Sequence, residues 1–556
     1  MILDDYLGMM EVQHTKPIVS DNFFGSFTKL KFDITCNRSF VIPSHVLPYL
    51  KNLKELNVHS SNEVEVIFDT DEIEVETKGI IFGLKKLILK DLSNLKFVWK
   101  ENIEEIVSFS NLQEVDVDGC GSLLTLFPLS LAKNLGKLET LDIQNCEKMV
   151  EIVGREDEME HGMTIMFEFP CLSCLYLENM PLLSCFYPGK HHLECPLLDH
   201  LYVECCPKLK LFRSSFDDDS KKEVLEGPSK LLQQPLFSIE KVSPKLEGLT
   251  LNEENIKLMS DARLPQDLLC NLKYLVLFFE DDNNGKDSLP FDFFHKLPNL
   301  EWLTVQKCFG LKEIFPSQKL QVHDKVLAGL KQLYLLELKE LECIGLEHRW
   351  VQPYTEKLEL LKLYKCPLVE RIVYCAVSFI NLKYLYVMHC ERMEYLFTFA
   401  TLKSLVKLET LIIGYCGSIK EIARNEDEDD CDKIIFGRLR WIKLKYLPRL
   451  IRFYSGNATL QCPCLQKMMI TECSNMITFS EGVIKLAMFS GIQTSEDSDF
   501  TFHIDLNTTV QSLFHEKIQT SKDSESTFDG DLNTTIQKLF HNQRNWDMKR
   551  MGKKIG

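Results

Sequence analysis

The sequence predicts an α/β solenoid: short coils stacked so that one strand from each joins a continuous parallel β-sheet on the concave face of a horseshoe. Irregular and short helical segments would return along the convex side. Three observations predict it. One apolar pattern recurs along most of the chain, its first part alternates as a strand does, and no single copy can bury its own apolar face.

The recurrence is plain around Leu112, Leu138, Leu300, Leu382 and Leu408. There the chain reads NLQEVDVDGCGSLLTLF, KLETLDIQNCEKMVEIV, NLEWLTVQKCFGLKEIF, NLKYLYVMHCERMEYLF and KLETLIIGYCGSIKEIA. Counting each named leucine as position 0, apolar residues fall at positions 3, 5, 8, 11 and 14. Further copies start at Leu53, Leu84, Leu172, Leu198, Leu272, Leu330, Leu358, Leu439 and Leu465, with a degenerate one at Leu246. About fifteen copies follow one another at 24 to 34 residues, with one wider gap between Leu198 and Leu246. This is leucine-rich-repeat spacing.

Each element follows from that spacing. Positions 3 and 5, such as Val115 and Val117 or Leu201 and Val203, share one face of a short strand, and their neighbours point to solvent. At position 8 the chain must turn away while keeping its backbone groups satisfied. Cys120, Cys146, Cys206, Cys308, Cys366, Cys390, Cys416 and Cys473 occupy it, with Leu92, Met180, Leu338 and Leu447 elsewhere. Positions 11 and 14, as in Leu123 and Leu126, fold back to close the coil. Ordering a coil costs about 1–2 kcal/mol per residue. Six buried apolar side chains return only about 1.5–3 kcal/mol each, so a coil persists only by stacking on its neighbours.

Interruptions of the pattern set the expected organisation. Residues 1–19 form an N-terminal tail and 20–212 a first stretch of repeats. Residues 213–245, with Asp217 to Asp219, Lys221-Lys222 and Gly227-Pro228, read as a surface loop or joint. A second stretch runs over 246–489. Residues 490–556 lack the motif and carry a tandem duplication, LNTTVQSLFHEK from Leu506 and LNTTIQKLFHNQ from Leu532, 26 residues apart. Their Ser-, Thr- and Asp-rich flanks suggest short helices on a mobile tail.

Composition narrows the function. Acidic residues outnumber basic ones 81 to 64, a net charge of −17, which argues against nucleic acid as partner. No apolar run reaches membrane-spanning length and no basic, then apolar, leader opens the chain, so neither membrane insertion nor secretion is expected. Twenty cysteines, eight of them at one repeated position, read as reduced thiols packed as small hydrophobes in a cytoplasmic or nucleocytoplasmic protein.

Chemistry is hard to find. There is no phosphate-cradling Gly-rich loop with Lys-Ser/Thr and no His-Glu-x-x-His. Cys171-x-x-Cys174 falls in the repeat register and lacks a second pair, so it is read as core rather than half a zinc site. His191-His192 with Cys195 reads as a solvated turn between coils. The acidic runs Glu156-Asp157-Glu158 and Glu426 to Asp430 lack the alternating ligands and central glycine of a calcium loop. No catalytic residue, metal ligand or cofactor is assigned, and the chain is expected to be non-enzymatic.

The exposed face of the sheet remains. Early coils present Glu114, Asp116, Asp118, Asp142, Glu178 and Glu204 there. Later coils present bases and aromatics. The candidate protein-binding residues are Trp302, Tyr334, Tyr364, Lys365, Tyr384, Tyr386, His389, Tyr415, Trp441, Lys443 and Tyr446, and Lys307, Lys362 and Lys445 stand on the same face. Exposed Tyr and Trp in a groove are the anchors that dominate protein interfaces. Strand propensity alone also places aromatics at exposed positions. If the first reading holds, the later coils bind an acidic protein surface.

Several segments carry a family resemblance: FPCLSCLYLENMPLLSCFYPG (Phe169 to Gly189), CPLLDHLYVECCPKLKLF (Cys195 to Phe212) and LKKLILKDLSNLKFVW (Leu84 to Trp99). Cys-type coils alternate with Leu-Pro-x-Leu-type ones, as at Met180-Pro181-Leu182-Leu183 and Leu447-Pro448-Arg449-Leu450. Residues 20–490 resemble the repeats of plant coiled-coil nucleotide-binding (NB-ARC) leucine-rich-repeat disease resistance proteins, and the duplicated tail resembles linkers of that family. The resemblance implies recognition of a pathogen effector, directly or through a guarded host protein, and restraint of an attached nucleotide switch. The chain departs from the family in having no coiled-coil, TIR-type or nucleotide-domain motif. A truncated product or a free-standing recognition arm is therefore expected, and ATP binding is not carried over. The alternative is a substrate-receptor subunit of a ubiquitin ligase. Residues 1–50, broken by Pro17, Pro43 and Pro48, look too short for the F-box-like module that role needs.

Overall fold

The computed structural model describes residues 26–493 apart from 34–38, 45, 70–79, 100–106, 156–163, 214–233, 240–242, 244, 261–268, 280–288, 316–326, 328, 347, 349–350, 375, 426–432 and 490–491. The tails 1–19 and 494–556, both acidic runs and most of the 213–245 segment lie outside the described residues. The chain divides into two compact units, Met1–Leu272 and Lys273–Gly556. Both are leucine-rich-repeat solenoids.

In the first unit, strands of four or five residues run from Lys29–Asp33 to Gly248–Leu251, each parallel to the next. In the second they run from Tyr274–Phe278 to Lys467–Thr471, ending on the two-residue strand Ile492–Gln493. Register never slips: Leu275, Leu303, Leu333, Leu361, Leu385, Leu411, Ile442, Met468 and Ile492 form one row across the second unit. A slip of one residue would turn the apolar set of a strand out to solvent. Position 3 and position 5 side chains are buried, Val203 alone among those described being half-buried, and the three between and beside them are mostly half-buried, as in Glu114–Asp118 and Leu360–Tyr364.

Position 7, directly after the strand, is left-handed in thirteen coils. Ser60, Asp91, Gly119, Asn145, Asn179, Cys205, Lys307, Glu337, Lys365, His389, Tyr415, Tyr446 and Glu472 have φ between 49° and 69°. This kink turns the chain out of the sheet without wasting its amide. The N–H of Lys365 donates to Met388 O at 2.9 Å and that of Tyr415 to Lys445 O at 2.9 Å, adding one rung to the ladder. The cysteine that follows is buried in each of the eight coils that carry one. Its Sγ donates back to the carbonyl of position 6, as Cys146 does to Gln144 O at 3.3 Å and Cys416 to Gly414 O at 3.2 Å. Cys146 and Cys473 are free thiols, and burial pushes them up to about 12.

The return side has more order than the repeat pattern implies. In most coils position 15 is buried as well as position 14, Arg213 being an exposed exception, and short parallel ladders form there, pairing Phe68 with Trp99 and Phe397 with Ala423. Phe68, Trp99 and Phe127 make a stacked column, with centroids 6.2 and 5.3 Å apart. Short helices such as Leu129–Ala132, Glu253–Met259 and Phe399–Ser404 complete the return side of several coils. At the degenerate coil of Leu246 a helix replaces the position 7 kink, and Asn252 caps it by accepting the N–H of Asn255.

One expectation is corrected here. His191-His192 and Cys195 do not form a solvated turn. His191–Glu194 is a strand paired with Ile165–Glu168, and it places His191, Leu193 and Cys195 inside and His192 outside. At the far end of the 213–245 segment, Leu236, Phe237 and Ile239 are buried, and Phe237 pairs with Phe212.

Candidate protein-recognition face

The open face of the second unit is built by strand repetition. Adjacent strands lie about 4.8 Å apart, close to the thickness of an aromatic stack, so rings on neighbouring coils meet face to face. Trp302 lies over Tyr334 with centroids 4.7 Å apart and planes 9° from parallel. Tyr274 meets the same indole edge-on at 5.9 Å. The indole N–H donates to Thr304 Oγ1 at 3.0 Å, which fixes the ring. Lys362 carries its ammonium 5.8 Å from the Tyr334 centroid. Burial raises the phenols of Tyr334 and Tyr386 above their usual range; the Tyr386 phenol adds to this at Tyr334, and the Tyr384 phenol at Tyr386. Tyr384 and Tyr386 are half-buried in their strand, with Tyr386 in register between Lys362 and Ile412.

A second group lines the edge where the strands end. His389 stacks on Tyr415 at 4.6 Å and 5°, and Tyr415 on Tyr446 at 4.8 Å and 16°. Tyr364 closes the row edge-on against His389 at 5.5 Å. Lys445 lies over two of these rings, 5.1 Å from Tyr415 and 5.5 Å from Tyr446. Lys365 sits 5.1 Å from the Tyr364 ring and pairs with Glu337 at 2.8 Å. That hydrogen bond holds the Glu337 carboxyl below, and the Lys365 ammonium above, its ordinary value. Both side chains are substantially exposed, so the pair orders the edge more than it stabilises the fold. Trp441 and Lys443 are half-buried in the next strand, in register with Thr410 and Ile412.

Six of the sequence candidates thus fall into two aromatic groups, Trp302 with Tyr334 and Tyr364 with His389, Tyr415 and Tyr446, which the residue pattern alone did not show. Lys365, His389, Tyr415 and Tyr446 share the left-handed position. Reading that one column of the alignment by itself would have revealed the aromatic run. Half-buried rings backed by ammonium groups offer apolar area with few rotamers left to lose, and positive charge at its border.

The first unit differs. Its acids are partly neutralised within the sheet: Lys86 pairs with Glu114, and Lys90 reaches Asp116 at 2.9 Å. Asn145 donates to Asp118 at 2.6 Å and accepts from Asn179 at 2.9 Å, an amide ladder along the kink positions. Burial, with Asp116 and Asp118 nearby, raises the Asp142 carboxyl. No helix among the described residues is long and apolar enough to cross a membrane.

The family described as "Plant disease resistance protein RPS2-like, leucine-rich repeats" matches residues 1–147, 245–378 and 368–485. One disease resistance protein of Arabidopsis thaliana is 30% identical over 178 residues, 29% of this chain and 24% of the relative. A second from the same plant is 26% identical over 192 residues, 30% of this chain and 21% of the relative. The chain therefore matches less than a quarter of the length of these curated relatives. Among solved structures, the functional domain of InlJ from Listeria monocytogenes covers 80% of this chain and 76% of its own, at 13% identity and a TM-score of 0.31. The mouse RP105/MD-1 complex covers 92% and 97%, at 13% identity and a TM-score of 0.30.

Proposed function

The chain belongs to the RPS2-like plant disease resistance family through its leucine-rich repeats, and from that premise we propose that it is a non-enzymatic recognition scaffold of the plant defence response. Its partner is a protein, either a pathogen effector or a guarded host protein, met in the cytoplasm or nucleocytoplasm. The observation that supports this reading is the stacked aromatic face of the second unit, Trp302–Tyr334 and His389–Tyr415–Tyr446, bordered by Lys362, Lys365 and Lys445. Rings already stacked on one another lose little freedom when a partner covers them, and the ammonium groups favour an acidic partner surface.

The test is proximity labelling by the full chain expressed in leaf cells. It compares the unaltered chain, the double substitution Tyr386→Ala with Trp441→Ala, and Ile435→Ala, an exposed return-side residue. Labelling of a specific protein should fall about tenfold or more with the double substitution. It should persist with Ile435→Ala, with unchanged melting temperatures throughout. Equal labelling by all three chains refutes the assignment of this face.

A further inference from the structure

The first unit brings Cys174 of one coil together with Asp199 and His200 of the next, 25 and 26 residues further along the chain. We propose that Cys174, Asp199 and His200 form a binding site for a borderline-soft divalent cation of the zinc class. Cys174 and His200 open adjacent parallel strands and are in register with each other, and Asp199 immediately precedes the second strand. His200 Nδ1 lies 2.7 Å from Asp199 Oδ1, and Cys174 Sγ lies 3.8 Å from the same oxygen. One donor atom from each residue falls within 4.8 Å of the other two, and all three side chains are half-buried.

The donor set is a thiolate, an imidazole and a carboxylate. This is zinc chemistry, and three protein ligands leave a fourth tetrahedral position for water, the open arrangement rather than the closed structural one. Binding at Nδ1 would replace the hydrogen bond between His200 and Asp199, the neutral imidazole keeping its one proton on Nε2, and would release the Cys174 thiol proton to solvent.

A separate observation shows the space to be shaped for these groups. The next strand carries Gly248 opposite His200. A Cβ at that position would lie 2.7 Å from His200 Cδ2 and 2.6 Å from the Tyr202 hydroxyl, so only glycine lets both rings lie where they do. Tyr202 in turn stacks on Tyr176 at 5.0 Å, walling one side of the site, and the Ser173 hydroxyl donates to Cys174 Sγ at 3.5 Å. The site uses one cysteine of Cys171-x-x-Cys174 and completes it from the following coil, which is why the sequence motif alone looked like core. The proposal concerns the first unit and does not rest on the recognition face of the second.

The experiment titrates the metal-stripped full chain with Co²⁺ as spectroscopic probe and then with Zn²⁺ in competition. One equivalent of Co²⁺ should give a thiolate-to-cobalt charge-transfer band and tetrahedral ligand-field absorption, both erased by Zn²⁺. Cys174→Ser should abolish the charge-transfer band. His200→Ala and Gly248→Val should each weaken Zn²⁺ binding about tenfold or more, the latter with the thiol intact. Cys171→Ser should change neither, and circular dichroism of every variant should match the unaltered chain. Absence of the charge-transfer band overturns the site. So does its persistence in Cys174→Ser, or its loss in Cys171→Ser.

Discussion

His191 shows how a single residue turns on its strand. The pair His191-His192 reads as polar and solvated, yet alternation sends the first imidazole inward against Phe167 and Tyr187, edge-on at 5.9 Å to each. Its ring Nδ1 lies 2.9 Å from Gly189 O, while Nε2 is buried without a hydrogen-bond partner among the described residues. Burial lowers its pKa below the ordinary 6.5, against the opposing pull of the Gly189 carbonyl. The unfolded chain therefore binds a proton at this side chain that the folded chain resists. The stability due to its neutral form is complete above pH 6.5 and declines as pH falls below it. Urea titrations between pH 8 and pH 5 should show His191→Phe losing less stability over that interval than the unaltered chain. Parallel losses in the two chains would remove His191 as the cause.

The kink that follows the strand in thirteen coils belongs to the element rather than to any residue type. Asn145, Asn179 and Gly119 suit a left-handed backbone, but Lys365, Glu337, Tyr446 and Glu472 do not, and stacking of the coils imposes it on them. This is why the sequence placed the turn at the buried cysteine of position 8, whereas the left-handed residue lies one position earlier. Two substitutions should move stability in opposite directions. Gly119→Val strains the backbone and crowds Asp91, whose Cα would lie 3.3 Å from the new Cβ, at a cost of about 1–2 kcal/mol or more. Glu472→Gly, at an exposed position, relieves the same strain and should gain up to about 1 kcal/mol. Urea midpoints measure both, and a shared sign would show that the kink carries no strain.

For the whole molecule, phase matters more than length. Leu382 and Leu408 occupy the same position in successive coils, and strands Leu360–Tyr364, Tyr384–Met388 and Thr410–Gly414 share one register. Deleting residues 382–407 should leave a folded chain in which the first strand pairs with the third, because each coil contacts only its neighbours. Deleting 382–394 breaks the phase and should abolish cooperative unfolding. The in-phase deletion also removes Tyr384, Tyr386 and His389, so it should weaken labelling of the partner while circular dichroism stays native-like. A folded product from the half-coil deletion would contradict this account of the stack.

The sequence by itself determined the repeat, the strand positions, the buried cysteine row and the face on which the aromatics stand. All of these follow from periodicity within one coil. Only the tertiary structure decided which residues on different coils meet. It brought Trp302 onto Tyr334, aligned His389, Tyr415 and Tyr446 in one stack, buried the return row of Phe68, Trp99 and Phe127, and carried Cys174 to Asp199 and His200. The reason is physical: coil lengths vary from 24 to 34 residues, so contacts between coils have no fixed separation along the chain. They are set by the constant spacing of the sheet, which exists only once the coils have stacked.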